Sequence, residues 1–436
     1  MPPDEPPARA TVPAIFLRRA GQGQLRTVDR AVRAILAQQS EHETDEFLGA
    51  RLGVSSRHLR RLFQSVLGIT PDELRRCTRA SHALRLLQKT DLSMTEVGFA
   101  AGFGSVQTFN RTFAKAFHTS PLEVRRGQPV GGEGSSPSLL SVRLRYQPPL
   151  AWSAMLEFLA ARAIDGVESV SDGAYRCTVS VGGRAGALEL VPDSDHSLQL
   201  RLHMPAWDDV VQVVEAARSL LGLDAAVAAP SRQLARDPLL GRLVDVSLGV
   251  RPPGTLNPLQ TAVGAILGER LVQVTGGATH RRLAERFGEP LQGFTQLGLS
   301  RVYPSAEALA DADLVGLDLT RDQAASIRQV AAAGAAKMSC GLGTSGSPAL
   351  LDQLGGALGR GTAMFQYLAL RMGEPDAFPW NDSGLQRRLE QRYGSPLSLP
   401  QVAQLAETWR PWRAHAAAIL AMAAPSTLSG PATAPR

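Results

Sequence analysis

A group of basic side chains on one predicted helix has the chemistry needed to contact phosphates and base edges. Gly53 permits a tight turn, and Ser55 is a suitable N-cap for the helix that follows it. Leu59, Leu62 and Phe63 share one face of that helix, as their i, i+3 and i+4 spacing requires. The other sides carry the side chains able to reach the major groove of a duplex, namely Arg57, His58, Arg60 and Arg61.

A second segment further along the chain repeats this pattern. Val97–Phe103 predicts a short helix and turn, and Val106, Phe109 and Phe113 line the apolar face of the next helix. The exposed side of that helix carries amide, hydroxyl and basic groups, namely Gln107, Thr108, Asn110 and Arg111. The spacing alone is equally typical of two amphipathic helical hairpins whose charges are merely solvated.

The positive charge of the chain is concentrated where these two segments lie. The 436 residues include 46 Lys and Arg against 40 Asp and Glu, a net charge of +6. Residues 1–127 hold 19 basic and 12 acidic side chains, whereas residues 128–436 hold 27 and 28. A basic first segment on a near-neutral body favours nucleic-acid binding at the front of the chain.

Several classes of protein are disfavoured by what the sequence lacks. Cys77, Cys177 and Cys340 form no Cys-x-x-Cys pair, which argues against a disulfide framework, a zinc ribbon or a cysteine-ligated iron–sulfur cluster. No phosphate-binding Gly-x-x-x-x-Gly-Lys motif and no His-Glu-x-x-His motif occurs, and His280 and His415 stand alone on predicted helices. We therefore expect no metal and no cofactor.

The sequence also gives no sign of a membrane protein. No apolar run approaches the roughly 18 residues of a membrane-spanning helix. The Pro-rich start, Met1–Pro13, lacks the basic and apolar regions of a signal peptide. We expect a cytoplasmic protein without membrane contact.

Periodicity predicts a multidomain, mainly α fold that is helical, then mixed, then helical. Strand-like alternation occurs at Leu140–Tyr146, Tyr175–Val181 and Leu198–Leu202, with helices at Trp152–Ala163 and Val210–Leu221. From about residue 257 onward only helical periodicity remains. The predicted regions are a disordered start (1–25), a helical domain (26–126), a Gly/Ser/Pro linker (127–138), an α/β module (139–250), an all-α domain (251–424) and a disordered tail (425–436).

The two N-terminal segments resemble a known DNA-binding domain. LGVSSRHLRRLF and MTEVGFAAGFGSVQTFNRTF, followed by Ser120-Pro121, are similar to the double helix-turn-helix of the AraC family, and particularly to that of Ada-type adaptive-response regulators. The resemblance implies sequence-specific binding of operator DNA. The four-cysteine zinc domain typical of Ada-type proteins is expected to be absent, and Cys77 is expected to be a small core residue.

The rest of the chain resembles DNA-3-methyladenine glycosylase II. The similarity runs over about residues 140–424 and is carried by Phe158-Leu-Ala-Ala-Arg-Ala-Ile-Asp-Gly-Val-Glu168, by Tyr303-Pro-Ser-Ala-Glu-Ala-Leu-Ala-Asp-Ala-Asp313 and by Trp409-Arg-Pro-Trp-Arg413. It implies an α/β sheet module packed on an all-α helix-hairpin-helix glycosylase domain. Trp409, Trp412 and Arg413 match the family, and their expected role is to pack the last helix.

The glycosylase resemblance also assigns a catalytic carboxylate. The family places an Asp shortly after a Phe-Pro pair, and in Phe378-Pro-Trp-Asn-Asp382 that residue is Asp382. A carboxylate beside C1′ would stabilise the oxocarbenium-like sugar that forms as a damaged base leaves. From the residues alone, Asn381 or Asp382 is more typical of a helix N-cap before Leu385–Leu389, and the two roles can coexist.

A tight turn with two glycines is the second part that the resemblance implies. Aligning back from Tyr367–Arg371 places Gly359 and Gly361 in this hairpin, where backbone N–H groups can approach a DNA phosphate. A register through Gly355-Gly356 is the alternative. A Gly-x-Gly by itself is also typical of an ordinary turn.

The positions around the hairpin predict the type of reaction and the lining of the base pocket. Bifunctional members carry a Lys after the hairpin and alkyl-base enzymes a Trp, whereas this chain has Ala363, and its sole Lys beyond residue 127 is Lys337. Ala421 replaces a second pocket Trp.

Arg270 stands where the family has its minor-groove probe, and a surface Arg on a helix is an equal alternative. The aromatic residues left for the pocket are Tyr367, Phe365 and Trp380.

Two functions are compatible with these features. The first is an adaptive-response regulator fused to a monofunctional glycosylase that removes alkylated purines of the 3-methyladenine type, with Asp382 as its catalytic carboxylate. The alternative is a transcription regulator whose glycosylase-like body binds DNA and is catalytically weak or inactive, which Ala363 and Ala421 favour. The expected partners are operator and alkylated double-stranded DNA and RNA polymerase, and the expected location is the bacterial nucleoid.

The first prediction concerns DNA binding by the basic N-terminal segment. Residues 1–127 should bind duplex DNA with an affinity that falls steeply with salt, because neutralising phosphates releases counterions. Arg57→Ala and Arg111→Ala should each weaken this binding in a titration at several salt concentrations. A folded fragment with no affinity for DNA at low salt would contradict the assignment.

Overall fold

The computed structural model describes residues 22–37, 44–117, 119–126, 140–204, 207–335, 348–359 and 361–423. The described helices are α1 (Gln22–Ala37), α2 (Asp45–Leu52), α3 (Ser56–Val66), α4 (Pro71–Lys89), α5 (Met94–Ala100), α6 (Val106–Phe117), α7 (Pro121–Arg125), α8 (Trp152–Ala160), α9 (Val210–Leu220), α10 (Ala228–Leu234), α11 (Gly241–Val246), α12 (Pro258–Ile266), α13 (Gly277–Phe287), α14 (Ala306–Ala310), α15 (Arg321–Ala335), α16 (Pro348–Leu358), α17 (Ala363–Arg371), α18 (Ser383–Tyr393), α19 (Leu399–Glu407) and α20 (Arg413–Met422). The strands are β1 (Leu140–Arg145), β2 (Glu168–Ser171), β3 (Ala174–Val181), β4 (Arg184–Ser194) and β5 (Ser197–His203). The predicted linker and tail, and residues 1–21 of the predicted disordered start, lie outside the described residues. Residues 22–25 belong to α1, so the prediction of disorder is wrong for them.

The first helical region contains the two predicted helix-turn-helix units. In the first, Gly53 ends α2 in the left-handed conformation, with φ of +73°, and the Ser55 hydroxyl accepts the His58 N–H at 3.2 Å. Leu59, Leu62 and Phe63 are buried, as their spacing predicted. The helix-turn-helix prediction for this unit is confirmed.

The second unit has the same construction. The Ser105 hydroxyl accepts the Thr108 N–H at 3.1 Å at the start of α6, and Phe109 and Phe113 are fully buried. Val106 is only half-buried. α4 packs against both α3 and α6 and so joins the two units.

Five strands form one antiparallel sheet in the order β1-β5-β4-β3-β2. The strands predicted at β1, β3 and β5 are confirmed, whereas β2 and β4 are additional strands that were not predicted. Both additional strands join β3 through two-residue turns, Asp172-Gly173 and Gly182-Gly183. All four turn residues have positive φ, between 53° and 71°. Such turns match the twist of an antiparallel pair, and Asp-Gly and Gly-Gly are their usual sequences.

The C-terminal helices form the second half of the body around α12, which packs against α13, α15 and α17. Trp409 is fully buried, donates its indole N–H to Asp237 Oδ2 at 2.8 Å, and meets the Phe378 ring edge-on with centroids 5.5 Å apart. Arg413 pairs with Asp376 at 2.9 Å. These contacts fit the packing role expected for this segment. With the sheet and the double helix-turn-helix, they confirm the predicted fold class.

The first helical region packs directly on the sheet module through α1 and α4. α1 contacts α9, and the buried indole of Trp207 donates its N–H to the Ser81 hydroxyl at 3.3 Å. The apolar core of the first helix-turn-helix unit is continuous with that of the body. A fragment that ends at residue 127 would therefore expose apolar surface, and the arginine variants are better compared in the full chain.

Candidate functional site

Asp382 is the N-cap of α18, and three backbone N–H groups donate to its carboxylate. Oδ1 accepts from Gly384 at 2.7 Å and from Leu385 at 3.1 Å, and Oδ2 accepts from Leu271 at 3.2 Å. The residue is only 2% exposed. The N-cap role is therefore present. It is compatible with a chemical one, because the N-terminus of a helix favours a negative charge.

A buried ionic cluster lies next to the loop that carries Leu271. The carboxylate of Glu269 accepts the phenol O–H of Tyr367, and its Oε1 lies 3.2 Å from both Arg371 Nη1 and Arg162 Nε. These charged side chains are less than one tenth exposed. Glu269 and Leu271 belong to the same loop, so the cluster and Asp382 are held by one segment.

Arg162, Glu269 and Arg371 are functional candidates that the sequence did not predict. In the sequence, Arg162 is only one residue of a family-like motif, and no pattern singles out Glu269. Arg371 is the last residue of the segment Tyr367–Arg371, from which the hairpin was aligned. Their partners lie about 100 residues away along the chain, so no local spacing rule could have joined them.

The three predicted pocket aromatics lie on α17 and just before α18. Tyr367 is fully buried, Phe365 is nearly so, and Trp380 is half-buried. Burial raises the pKa of Tyr367 to about 12, so its phenol stays protonated and donates to Glu269. A base can stack on Tyr367 only after neighbouring side chains move. The pocket assignment remains a prediction.

The hairpin turn falls at Gly359, as the first of the two registers predicted. α16 ends at Leu358, Gly359 has φ of +79°, and the Thr362 hydroxyl accepts the Phe365 N–H at 3.1 Å to start α17. Gly355 and Gly356 lie within α16, so the alternative register is wrong for the turn itself.

Gly361 leaves its backbone accessible on the α17 side of this turn. A Cβ atom built on Gly361 would meet nothing within 4 Å, so this part of the hairpin has room for a close ligand. Open space of this kind is one requirement of a phosphate contact to backbone N–H groups. Phosphate binding by the hairpin stays a prediction.

Arg270 folds back on its own helix end. Its Nη1 donates to the carbonyl oxygens of Ala265 at 2.8 Å and Glu269 at 2.7 Å, and the residue is half-buried. A cation at the C-terminal end of α12 is electrostatically favourable. Arg270 would have to leave these carbonyl groups before it could enter a minor groove.

Several of the predicted DNA-reading side chains already have a partner within the domain. Arg60 is engaged, because it pairs at 2.6 Å with the buried Asp45, which also holds Arg75 at 2.8 Å. Arg61 shares a 2.7 Å hydrogen bond with His58 Nδ1, and the Thr108 hydroxyl accepts from Ser105 at 3.0 Å. The remaining predicted residues are exposed, namely Arg57, Gln107, Asn110 and Arg111.

Cys77, His280 and His415 lie in surroundings that suit a structural role rather than a chemical one. Burial raises the pKa of Cys77 to about 12, which leaves the thiol uncharged and a poor nucleophile. Burial lowers the pKa of His280 and of His415 to about 4. Within the described ranges, no group of three or more His, Cys, Asp or Glu side chains is arranged to hold a metal ion. None of the helices in that part of the chain combines the length and the apolar character of a membrane-spanning segment.

Two family models match this chain. One, described as the AlkA N-terminal domain, matches residues 141–257, which include the sheet. The other, described as a helix-turn-helix domain, matches residues 48–127. The two matches fall on separate parts of the chain and in the order that the sequence analysis expected.

One relative matches both parts together, and two further proteins match about two thirds of the chain. A Mycobacterium tuberculosis protein, named a probable bifunctional transcriptional activator/DNA repair enzyme AlkA, is 33% identical over 396 residues, which are 89% of this chain and 78% of that protein. DNA-3-methyladenine glycosylase 2 of Escherichia coli K12 is 30% identical over 281 residues, 63% of this chain and 94% of that enzyme. The solved 3-methyladenine DNA-glycosylase of Archaeoglobus fulgidus aligns with a TM-score of 0.52 at 18% identity, over 64% of this chain and 97% of its own, and so shares the fold.

The contacts of Asp382 predict how its substitution changes stability. Asp382→Ala should lower the free energy of unfolding of the body by about 2–3 kcal/mol, because it removes a cap and leaves the buried Leu271 N–H without an acceptor. Asp382→Asn should cost about 1–2 kcal/mol, because it keeps the cap but turns an amide NH₂ toward that N–H. Urea unfolding measures both values.

Asn257→Ala is the matched control for this comparison. The Asn257 side chain caps α12 by accepting the N–H groups of Leu259 and Gln260. Among the described residues, it makes no other side-chain hydrogen bond. Its loss should cost about 1 kcal/mol. If Asp382→Ala costs no more than Asn257→Ala, the bond from Leu271 adds nothing to stability.

Proposed function

Because the chain belongs to the family of AlkA-type bifunctional transcriptional activators and DNA repair enzymes, we propose that it joins a DNA-binding regulator to a DNA glycosylase for alkylated purines. The membership follows from 33% identity to a relative of which this chain covers 78%. The proposed substrate is double-stranded DNA carrying bases of the 3-methyladenine type. The proposed domains are a helix-turn-helix domain at 26–126, a sheet module at 139–250 and a helix-hairpin-helix domain at 251–424.

One observation carries the enzymatic part of this proposal. The loop 269–271 contacts both the proposed catalytic carboxylate and the proposed pocket tyrosine, through Leu271 N–H to Asp382 and through Glu269 to Tyr367. A carboxylate and an aromatic wall held by one short segment suit a reaction in which a flipped base and its sugar are bound side by side.

The chemistry follows from charge. An alkylated purine is cationic and leaves with the electrons of the glycosidic bond, so the sugar becomes oxocarbenium-like at C1′. The negative charge of Asp382 stabilises that sugar, and a water molecule then bonds to C1′ and releases its proton. Oδ2 is the oxygen suited to face the sugar, because it accepts one N–H whereas Oδ1 accepts two.

The proposed reaction stops at an abasic site. Strand cleavage by a bifunctional enzyme needs an amine that forms a Schiff base with the sugar. Ala363 occupies the position after the hairpin where such a Lys would stand, and the only Lys beyond residue 127 is Lys337. The enzyme is therefore proposed to be monofunctional.

DNA contacts are proposed both on the helix-turn-helix domain and on the glycosylase-like body. On the helix-turn-helix domain the exposed Arg57, Gln107, Asn110 and Arg111 are the proposed readers of an operator. On the body, Gly359 and Gly361 are proposed to hold a phosphate and Arg270 to enter the minor groove. A regulator of this kind would also contact RNA polymerase and would work at the nucleoid.

The product of the reaction tests the proposal. Incubation with alkylated duplex should release 3-methyladenine or 7-methylguanine and leave abasic sites without strand breaks, as measured by chromatography of free bases and by gel electrophoresis. Asp382→Asn should nearly abolish release while DNA affinity is kept, because a carboxamide has no charge to offset the oxocarbenium. Full activity of this variant would remove Asp382 from the mechanism. A protein–DNA adduct trapped by borohydride would show a lyase amine.

A second function, a regulator with a weakly active body, is favoured by two small residues. Ala363 and Ala421 are half-buried at positions where the family has pocket tryptophans, and each lost stacking wall is worth about 1–3 kcal/mol. Such a protein would bind DNA through both parts and release alkylated bases slowly.

Restoring the aromatic walls separates the two functions. Ala363→Trp with Ala421→Trp should raise the release of alkylated bases, by up to about tenfold for each 1.4 kcal/mol regained, unless Phe365 or Trp380 already fills that space. If the parent chain is inactive and the double variant releases alkylated bases, the result would support the second function, a regulator with a weakly active body. A parent chain that is fully active and selective would show that another residue forms the wall.

A further inference from the structure

The side chain of Arg162 reaches from the sheet module into the loop that holds Asp382. Arg162 follows the end of α8, and its Nη2 donates to the carbonyl oxygens of Arg270 at 2.6 Å and of Leu271 at 2.9 Å. Its Nη1 donates to the carbonyl oxygen of Phe158 at 2.8 Å. One guanidinium group thus ties α8 to the loop between α12 and α13.

The first of these carbonyl groups belongs to the peptide unit that binds Asp382. The peptide bond between Arg270 and Leu271 presents its oxygen to Arg162 and its N–H to Asp382 Oδ2, at 2.6 and 3.2 Å. A cation at the oxygen of an amide polarises the group and strengthens the donation from its N–H. Arg162 therefore acts on Asp382 through a single peptide group.

Packing fixes the position of the Arg162 guanidinium group. It lies over the ring of Phe158, 3.5 Å from the centroid, and its side chain is only 8% exposed. Its planar fork makes several directed hydrogen bonds at once, which a Lys ammonium cannot reproduce with the same geometry. The position of Arg162 is fixed by packing as well as by charge.

Glu269 balances this buried charge. Its Oε1 lies 3.2 Å from Arg162 and 3.2 Å from Arg371, so neither cation is left without an anion. Gly264 on α12 makes room for it, because a Cβ atom at that position would come within 2.3 Å of Glu269 Oε2. The sequence of α12 is therefore adapted to hold a carboxylate at this point.

We propose that Arg162 is a positioning residue for Asp382, which it orients through the peptide group between Arg270 and Leu271. The inference rests on the proposed glycosylase activity, because it assigns a role toward the carboxylate of that reaction. It makes the sheet module part of the active site. Damage to this contact should slow the chemical step and leave DNA binding nearly unchanged.

The test compares two conservative variants of buried arginines in the full chain. Arg162→Lys keeps the charge and loses the fork. Arg251→Lys is the matched control, because Arg251 is also buried and donates to backbone carbonyls, those of Gly222 at 3.2 Å and Leu223 at 3.0 Å. None of its described hydrogen bonds reaches Asp382 or the loop 269–271. Base release under single-turnover conditions, duplex affinity and the exchange rate of the Leu271 amide proton by NMR are measured for each.

The proposal expects three results for Arg162→Lys. The single-turnover rate constant falls, on the order of 10²-fold for a misplaced carboxylate, while the Kd for duplex changes little. The Leu271 amide proton exchanges faster, and Arg162→Lys adds no further loss in an Asp382→Asn background. Arg251→Lys retains the rate and the Leu271 exchange of the parent chain. Equal rate losses in both variants, or an unchanged Leu271 amide, would overturn the proposal.

A second variant covers the case in which Arg162→Lys does not fold. Replacing Leu271 by its α-hydroxy acid exchanges the amide N–H for an ester oxygen and leaves Arg162 intact. This change should cause a similar loss of rate, and an unchanged rate would overturn the proposal. If the parent chain releases no base, the proposed function fails, and the Leu271 exchange rate in Arg162→Lys alone decides the inference.

Discussion

Three backbone N–H groups converge on the carboxylate of Asp382, and the third comes from a loop 111 residues earlier in the chain. The two from Gly384 and Leu385 are supplied by any helix with an aspartate N-cap. The one from Leu271 requires the loop between α12 and α13 to be held at a fixed place. Arg162 holds it from the sheet module, and Glu269 holds it from α17 through Tyr367 and Arg371. The site therefore depends on packing between both halves of the body.

The chain builds such contacts almost entirely with arginine. Only three lysines occur among the 46 basic residues. Arg162, Arg251 and Arg371 are each buried, and each donates to backbone carbonyl oxygens from distant segments. A guanidinium group stays charged and offers several donors in one plane, so it satisfies carbonyl groups that a buried lysine would leave without a partner. The cost of burying this charge is offset near the site by Glu269.

Local features of the site could be predicted from the sequence, and long-range ones could not. Ser55, Gly53 and the apolar face of α3 follow from rules that act within one helical turn, and they are where the spacing placed them. The strands β2 and β4 were also within reach, because Asp172-Gly173 and Gly182-Gly183 are hairpin signals. The peptide contact of Arg162 was not, because it joins residues whose separation in sequence carries no periodic signal.

The proposed mechanism requires the charge of Asp382 to be matched to a cationic sugar. The affinity for two duplexes tests this match, one with a cationic pyrrolidine in place of the abasic sugar and one with a neutral tetrahydrofuran. The full chain should bind the pyrrolidine duplex more than about tenfold more tightly, a difference of about 1.4 kcal/mol, and Asp382→Asn should abolish this preference. Equal affinity for the two duplexes, or a preference that survives in Asp382→Asn, would contradict this mechanism.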